Sequence, residues 1–340
     1  MDFRQAAQTI FDTAAQNLAL ALALCGANRQ LSDAVEELWY EHSKGPDSAV
    51  LPSDTDEEPL GPGTLVAGRF RIIRELGHGG TAAVFHAENE AGWPVALKVA
   101  FPGAEAAAGS CPLRAEYASA SATRHPNVRR VDELLTVESR NARVMQALVM
   151  EYIEGETLAA RISRAPLSAP ELIKMAQGLA AGLDAIHAAG QVHGDLKPGN
   201  ILLRDSAGPL SGAPVIIDLG NQSTAASPDY MSVEQFQGTS ATPACDLFAL
   251  GAILYEMASG HRPWPKEDLI PAAIRRATQA VPTLTGPLPS GYAAATASLL
   301  SRTPSHRPPT ATEALQFLGR RTEARVCRHT GHSRFQKLYL

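Results

Sequence analysis

The 340-residue sequence predicts an α+β protein with two unlike lobes, a strand-rich lobe followed by a helical lobe. Three segments after Leu65 alternate apolar and polar residues between glycine and asparagine turns, as antiparallel strands do: RFRIIREL (69–76), AAVFHAEN (82–89) and WPVALKVAF (93–101). From Ser168 onward the apolar residues recur every three or four positions, which is typical of helices. With 45% apolar and 19% charged residues, the chain can bury a sizeable core.

Two short helices are predicted at the start of the chain, over residues 1–43. Apolar residues recur every three or four positions through the first 25 residues, and a second apolar stripe follows at 31–39. A helical hairpin of about 40 residues rarely folds without outside support. We therefore expect this N-terminal extension to dock on a partner, a substrate or a second copy of the chain. The alternative is that it covers an apolar patch on its own lobes.

The two lobes are flanked by an acidic linker and a basic tail. Residues 44–66 contain five acidic residues and four prolines without any periodic pattern, which predicts an extended linker. The strand-rich lobe is predicted over 67–153 and the helical lobe over 154–320. Residues 321–340 carry five basic residues and one acidic residue, and we interpret them as a solvated terminus.

Charge, cysteine usage and hydropathy narrow the class of protein. The net charge of −5 lacks the basic excess of nucleic-acid-binding proteins, so no nucleic-acid partner is expected. Four widely spaced cysteines form no CxxC pair, which favours a reducing compartment. The apolar stretch at 18–25 is shorter than the roughly 20 residues needed to span a bilayer. We expect a cytoplasmic protein with no membrane span, and export by a route without a cleavable signal is compatible with the sequence.

A glycine-rich hairpin and a lysine-bearing strand occur in the predicted first lobe. Gly77 and Gly79 follow one strand and Val84 begins the next, so bare backbone there can approach phosphate groups. Such a pattern alone is more often a tight turn. Lys98 lies on an apolar strand, where its ammonium group needs an anionic partner such as a nucleotide phosphate. Glu116, on a helix predicted after that strand, can orient Lys98; the alternative is an ordinary surface glutamate.

The strongest signal lies in two neighbouring segments, VHGDLKPGNILL (192–203) and IIDLG (216–220). Asp195 can orient an attacking hydroxyl group or accept its proton, and Lys197 can neutralise charge on a transferred group. Asn200 and Asp218 are oxygen ligands of the kind that suits Mg²⁺. A polar loop before a buried strand does not explain these four functional residues between two apolar segments.

Together these motifs resemble those of the eukaryotic-like protein kinases, in particular the bacterial Ser/Thr branch, over about residues 67–319. The resemblance implies a bilobal protein-kinase-like fold, ATP and Mg²⁺ as cofactors, and a protein with a Ser or Thr acceptor as substrate. The catalytic residues that it implies are Asp195, Lys197, Lys98 and Glu116, and the metal ligands are Asn200 and Asp218. The nucleotide-binding residues that it implies are Gly77, Gly79, Val84, Ala96, Lys98, Glu151, Ile153 and Leu202.

Other residues extend the resemblance over both lobes. In this family a turn precedes one strand of the first lobe, a hinge residue lies behind the adenine, an aspartate braces the catalytic loop, and an arginine pairs with a glutamate after the activation segment. The matching residues are HPN (125–127), Met150, Asp246, Arg307 and Glu234.

Four residues depart from the family pattern: Ala82 in the glycine-rich loop, Gly194 before Asp195, Leu219 after Asp218, and Val233 before Glu234. Many members have an arginine at the position of Gly194, where it binds a phosphorylated activation loop. We therefore expect activity that does not require such phosphorylation. The alternative function is a pseudokinase or scaffold that binds partners through its N-terminal extension, and a small-molecule kinase is a third.

Overall fold

The computed structural model describes residues 60–79, 82–101, 112–138, 144–205, 211–219, 227–266 and 269–319. The predicted hairpin at 1–43, residues 44–59 of the predicted linker, and the predicted tail at 321–340 lie outside these ranges.

Six strands form the antiparallel sheet of the first lobe, in the order β1-β2-β3-β4-β6-β5. Their bounds are β1 Leu65–Val66, β2 Phe70–His78, β3 Ala82–Glu88, β4 Pro94–Ala100, β5 Val131–Glu138 and β6 Val144–Glu151. Helix α1, Pro112–Ser121, packs against β5 and β6. The three segments with alternating patterns are strands, as predicted, because their alternate residues bury one face of the sheet. Residues of that buried face include Phe70, Ile72, Phe85, Leu97 and Val99.

Strand β1 lies inside the range predicted as linker. Gly63 N donates to Ile72 O at 2.8 Å and Ile72 N donates to Thr64 O at 2.9 Å, so this segment extends the edge of the sheet. Leu60 packs on the core of the first lobe. The alternation in a two-residue strand is too short to be visible in the sequence. Residues 60–66 therefore belong to the folded lobe.

The second lobe is mainly helical. Its helices are α2 Leu158–Arg164, α3 Ala169–Ala188, α4 Val233–Phe236, α5 Pro243–Ser259, α6 Leu269–Thr278, α7 Tyr292–Leu299 and α8 Ala311–Ala314, with 3₁₀ turns at Pro198–Asn200 and Pro304–His306. Strands β7 Gly155–Thr157, β8 Ile201–Arg204 and β9 Pro214–Ile216 form a small antiparallel sheet in the order β7-β8-β9. The predicted α+β class with two unlike lobes is confirmed. No helix in the described ranges is both long and apolar enough to cross a membrane.

Helix α3 confirms the helical period predicted from Ser168. Ser168 and Glu171 form a capping box, in which the Ser168 N–H donates to the Glu171 carboxylate at 2.8 Å. The predicted apolar face is fully buried and consists of Leu172, Met175, Leu179, Leu183 and Ile186. Helical spacing of apolar residues also predicts a helix over 311–319, but α8 covers only Ala311–Ala314.

A short backbone pairing joins the two lobes beside the cleft. Ile216 N donates to Asn127 O at 2.8 Å, and Arg129 N donates to Ile216 O at 2.9 Å. The Asn127 side chain adds a hydrogen bond from Nδ2 to Pro214 O at 2.7 Å. The segment before β5 is therefore fixed against β9, whose end leads directly to Asp218.

Candidate active site

Lys98 and Glu116 form a buried ion pair in the first lobe. Lys98 Nζ lies 2.7 Å from Glu116 Oε2, and their side chains are only 11% and 5% exposed. Strand β4 carries the lysine and helix α1 carries the glutamate, so the pair fixes the helix against the sheet. Burial raises the pKa of Glu116 above its ordinary value, although Lys98 opposes this shift. The structure thus excludes the alternative of a surface glutamate.

Asp218 lies between two cations at the end of β9. Its Oδ1 accepts a hydrogen bond from Arg129 Nη2 at 2.9 Å and lies 3.9 Å from Lys98 Nζ. Burial works against ionisation, but Arg129 and Lys98 outweigh it and hold the pKa of Asp218 below its ordinary value. The backbone of Asp218 has a φ of +60°, which is uncommon for a residue other than glycine. Such backbone conformations occur preferentially at functional sites.

Asp195 and Lys197 meet on the loop after α3. Lys197 Nζ donates to Asp195 Oδ2 at 2.6 Å and to Ser227 Oγ at 2.8 Å. Asp195 Oδ1 accepts a hydrogen bond from the Ser227 N–H at 2.9 Å. The predicted acid–base residue and the predicted charge-neutralising residue are therefore adjacent, and Ser227 connects them to the segment that follows Asp218.

Asn200 is oriented so that its amide oxygen is available to a cation. Its Nδ2 donates to Asp195 O at 2.9 Å, which leaves Oδ1 as the acceptor end of the side chain. The Ile217 N–H donates to Asn200 O at 3.0 Å, so the backbone before Asp218 is also tied to this residue. Because Mg²⁺ is usually held by one or two protein oxygens together with phosphates and water, Asn200 and Asp218 fit the metal predicted for them.

Asp246 on α5 holds the loop that carries Asp195. Its two carboxylate oxygens accept hydrogen bonds from the backbone N–H groups of His193 and Gly194, both at 2.8 Å, and Oδ2 also lies 2.9 Å from His187 Nε2. Gly194 has a φ of +79°, a left-handed conformation that costs other residues about 1–2 kcal/mol. The loop thus has a backbone turn at the position where the family often has arginine.

The predicted nucleotide-binding residues lie on the first-lobe sheet, the hinge and β8. Val84 lies opposite both Gly77 and Lys98 in the sheet register, and Gly79 N donates to Ala82 O at 2.9 Å. The Glu151 N–H donates to Arg130 O at 2.9 Å. The remaining residues of this group are buried or half-buried, namely Ala96, Ile153 and Leu202.

The activation segment runs from Asp218 to Glu234, and its described end, from Ser227 onward, is held by groups of the second lobe. Arg276, a buried residue of α6, donates hydrogen bonds to the carbonyl oxygens of Pro228, Asp229 and Met231. Its Cζ atom lies over the Trp264 ring, 4.5 Å from the ring centroid. Two further contacts join the segment to the same lobe, an ion pair of Asp229 with Arg262 and a 2.6 Å hydrogen bond from the Tyr230 hydroxyl to Glu256 Oε2.

Glu234 and Arg307 form a buried bidentate pair, as the resemblance implies. Arg307 Nη1 binds Glu234 Oε1, and Nη2 binds Oε2 at 3.0 Å. The arginine also donates to Ala244 O at 2.8 Å and to Ser301 O at 2.8 Å. Burial disfavours the Glu234 carboxylate, but Arg307 and nearby N–H groups hold the pKa of Glu234 below its ordinary value.

Sequence reasoning missed two arginines that contact the site. Arg129 and Arg276 are 8% and 2% exposed, whereas arginine is usually solvated. The only available signal was position, since Arg129 directly follows the HPNV turn and Arg276 lies four residues after an apolar residue, Ala272, that is also buried.

The fold and the cleft define a two-lobed protein in which charged groups of both lobes converge on one point. The protein kinase domain family matches residues 70–317, so the chain belongs to that family. It is 30% identical over 240 residues to the probable serine/threonine-protein kinase PknB of Lactococcus lactis, which covers 65% of this chain and 36% of that protein. It is 34% identical over 223 residues to the serine/threonine-protein kinase pkn2 of Myxococcus xanthus, covering 60% and 26%.

A third relative is the serine/threonine-protein kinase PknA of Mycobacterium tuberculosis, 31% identical over 244 residues, with 67% of this chain and 55% of that protein covered. The matched region thus spans between about a quarter and about half the length of these curated relatives. The family membership and the bacterial sources of the relatives agree with the resemblance predicted from the motifs.

We expect Arg307→Met to lower the free energy of unfolding by about 3–5 kcal/mol at pH 7, because it leaves Glu234 as an unpaired buried carboxylate. The pKa of Glu234 is lowered in the folded wild type, so the stabilisation from this pair is fully present above the ordinary carboxyl range and changes little between pH 7 and pH 5. In the variant, burial alone raises this pKa, and the defect shrinks as the pH falls. Thermal unfolding at both pH values measures the difference.

The matched control is the double variant Arg307→Met/Glu234→Gln, which should recover part of the loss because no buried charge is left unpaired. A defect that is the same at both pH values and in the double variant would show that lost packing, and not the charge, is responsible.

Proposed function

We propose that this chain is a Ser/Thr protein kinase that transfers the γ-phosphoryl group of ATP to a hydroxyl group of a protein substrate in a Mg²⁺-dependent reaction. The observation that carries the proposal is the position of Lys98, which pairs with Glu116 in the first lobe and lies 3.9 Å from Asp218 of the second lobe. Relatives with the matching region are named serine/threonine-protein kinases, which supports the choice of acceptor.

The nucleotide would lie between the glycine-rich hairpin and the hinge. Among the described residues, a Cβ atom added at Gly77 or Gly79 would meet no atom closer than 4.0 Å, and neither residue has a left-handed φ. The fold itself therefore does not require glycine there, which supports close approach of phosphates as the reason for it. Because the Glu151 N–H is already bonded, this residue would contact adenine through its carbonyl oxygen and Ile153 through its N–H group.

The charged residues divide the chemistry among them. Lys98, oriented by Glu116, would bind the α- and β-phosphates, while Asn200 and Asp218 would hold Mg²⁺, which supplies neutralisation of phosphate charge. Asp195 would orient the substrate hydroxyl group and accept its proton as the new P–O bond forms and the bond to the ADP oxygen breaks. Both of its oxygens already accept hydrogen bonds, but each can accept a second one. Lys197 would stabilise charge on the transferred group.

Activity would not depend on phosphorylation of the activation segment. Gly194 offers no cation for a loop phosphate, and Arg276 already holds the end of the segment through three backbone carbonyl groups. The Ser227 contacts with Asp195 and Lys197 keep the segment against the catalytic loop. These contacts supply the ordering that a phosphate–arginine pair supplies elsewhere.

The N-terminal extension would recruit a partner or substrate, and a second copy of the chain is a further candidate. The described lobes support this role, because they contain a buried core of their own. We also propose a cytoplasmic location, which the widely spaced cysteines favour.

Three single substitutions test the proposed chemistry. Asp195→Asn, Asp218→Ala and Lys98→Met should each lower phosphoryl transfer by orders of magnitude, because each removes an electrostatic contact made to the reacting groups. Asp218→Ala and Lys98→Met also break an ion pair, so these two variants should fold with a lower melting temperature. Transfer of labelled phosphate from ATP to proteins of a lysate measures this loss. Asp132→Asn, which alters an exposed ion pair with Arg130, is the control and should retain activity. Wild-type protein that binds ATP and transfers nothing would support the scaffold alternative.

Phosphatase treatment tests the independence from activation-segment phosphorylation. The treated enzyme should keep its rate within about twofold, since no arginine precedes Asp195 to respond to a phosphate. The candidate phosphorylation sites are Ser223, Thr224 and Ser227, of which the first two lie outside the described residues. Replacing each by alanine shows whether a fall in rate comes from the loss of a phosphate group at that site. A large loss of rate that autophosphorylation restores in the wild type, but not in these alanine variants, would overturn the expectation.

Deletion of residues 1–59 tests the recruiting role. The deletion should end at residue 59, because Leu60 packs on the first lobe. We expect a protein that keeps its melting temperature and phosphorylates a generic substrate, but phosphorylates its natural target poorly. A large fall in melting temperature would show instead that the extension covers an apolar patch on its own lobes.

A further inference from the structure

Arg129 places a buried guanidinium group directly on the predicted metal ligand Asp218. Its Nη2 donates to Asp218 Oδ1 at 2.9 Å, and its side chain is 8% exposed. Its backbone N–H donates to Ile216 O, two residues before the aspartate. Main chain and side chain therefore hold Arg129 against the same short segment, so the contact is built into the junction of the lobes.

The neighbouring Arg130 has the opposite environment. Its side chain is 54% exposed and forms an ion pair with Asp132 at the surface. Burial is thus specific to the first of two adjacent arginines. The two residues provide a matched pair for experiment, because removing either one removes the same charge from nearly the same place in the chain.

The charges around Asp218 are balanced before any metal arrives. Lys98 and Arg129 supply two positive charges, and Glu116 and Asp218 supply two negative charges. A cavity of about 10 Å³ borders this group on the side of Met150 and has room for about one water molecule, so solvent contributes little screening on that side. A divalent cation bound to Asp218 therefore enters a site without excess negative charge, and it is repelled by the nearby guanidinium group.

Arg129 still leaves part of the aspartate open to a ligand. It binds Oδ1, and within the described parts of the chain no hydrogen bond is made to Oδ2. The Asp218 side chain is 29% exposed. A metal ion can therefore bind Oδ2 while Arg129 remains on Oδ1.

We propose that Arg129 is a positioning residue that serves as a built-in counter-cation of Asp218: it fixes the carboxylate through Oδ1 and weakens the binding of a divalent cation at Oδ2. The inference rests on the proposed function, which assigns Asp218 to the metal. The phosphates of a bound nucleotide supply the negative charge that the site otherwise lacks. Metal and nucleotide consequently bind together, and the nucleotide-free protein keeps Asp218 ordered without metal.

The test measures Mn²⁺ binding to the full chain, with and without a non-hydrolysable ATP analogue, by the electron paramagnetic resonance signal of free Mn²⁺. A protein-free titration of the analogue gives the Mn²⁺ that the analogue binds by itself, and this amount is subtracted. Arg129→Met and Arg129→Gln should each bind Mn²⁺ about tenfold or more tightly than wild type, because a positive charge a few ångströms from the metal is lost. Arg129→Gln keeps a donor for Oδ1 and so tests the charge even where Arg129→Met does not fold. Arg130→Met should bind as wild type does.

A purely structural role of Arg129 predicts weaker Mn²⁺ binding when its contact with Asp218 is lost, whereas the proposal predicts tighter binding. Affinity that is unchanged or weaker in a folded Arg129 variant overturns the inference. Asp218→Asn separates this failure from failure of the proposed function. If Asp218→Asn abolishes Mn²⁺ binding while the Arg129 variants bind as wild type, only the inference fails. If Asp218→Asn leaves Mn²⁺ binding intact, the assignment of the metal to Asp218 fails as well.

Discussion

Four buried or half-buried charges at the junction of the lobes constrain one another, and the neighbouring elements depend on them. Lys98 comes from β4, Glu116 from α1, Asp218 from the segment after β9 and Arg129 from the segment before β5. Removing one partner of such a pair typically costs several kcal/mol, because the other is left as an uncompensated buried charge. Helix α1 cannot move away from the sheet, nor the segment around Asp218 away from β5, without that penalty. The cleft therefore has its arrangement of charges before any nucleotide binds.

In the second lobe, charged side chains hold irregular segments in place by binding their backbone groups. Asp246 holds the loop of Asp195 by accepting two main-chain N–H groups, and Arg276 holds the activation segment by donating to three main-chain carbonyl groups. Both side chains project from helices, so irregular segments are fixed by regular ones. A loop whose carbonyl and N–H groups are bonded to a helix loses little further entropy when a substrate docks on it.

Much of this architecture could be predicted from the sequence, and the exceptions share a physical reason. The buried face of α3 followed from its period, and the contact of Lys98 with Glu116 followed from motifs on a strand and a helix. Arg129 and Arg130 are chemically identical neighbours, however, and the backbone pairing of the segment before β5 with Ile216 decides which one points inward. Arg276 likewise resembled an ordinary solvated residue, and β1 is too short for alternation to show. Burial of a charge depends on partners distant in the chain, which a local pattern does not contain.

The pairing of residues 60–66 with the sheet fixes the point at which the preceding residues are attached to the first lobe. Residues 44–59 number 16, and a chain of this length spans at most about 55 Å when fully extended. A protein held by residues 1–43 would consequently remain within that radius of the sheet edge, at an effective concentration on the order of millimolar. At such a local concentration even a weak acceptor sequence would be phosphorylated. Binding to residues 1–43 within reach of the tether, and not affinity at the cleft, would then select the target.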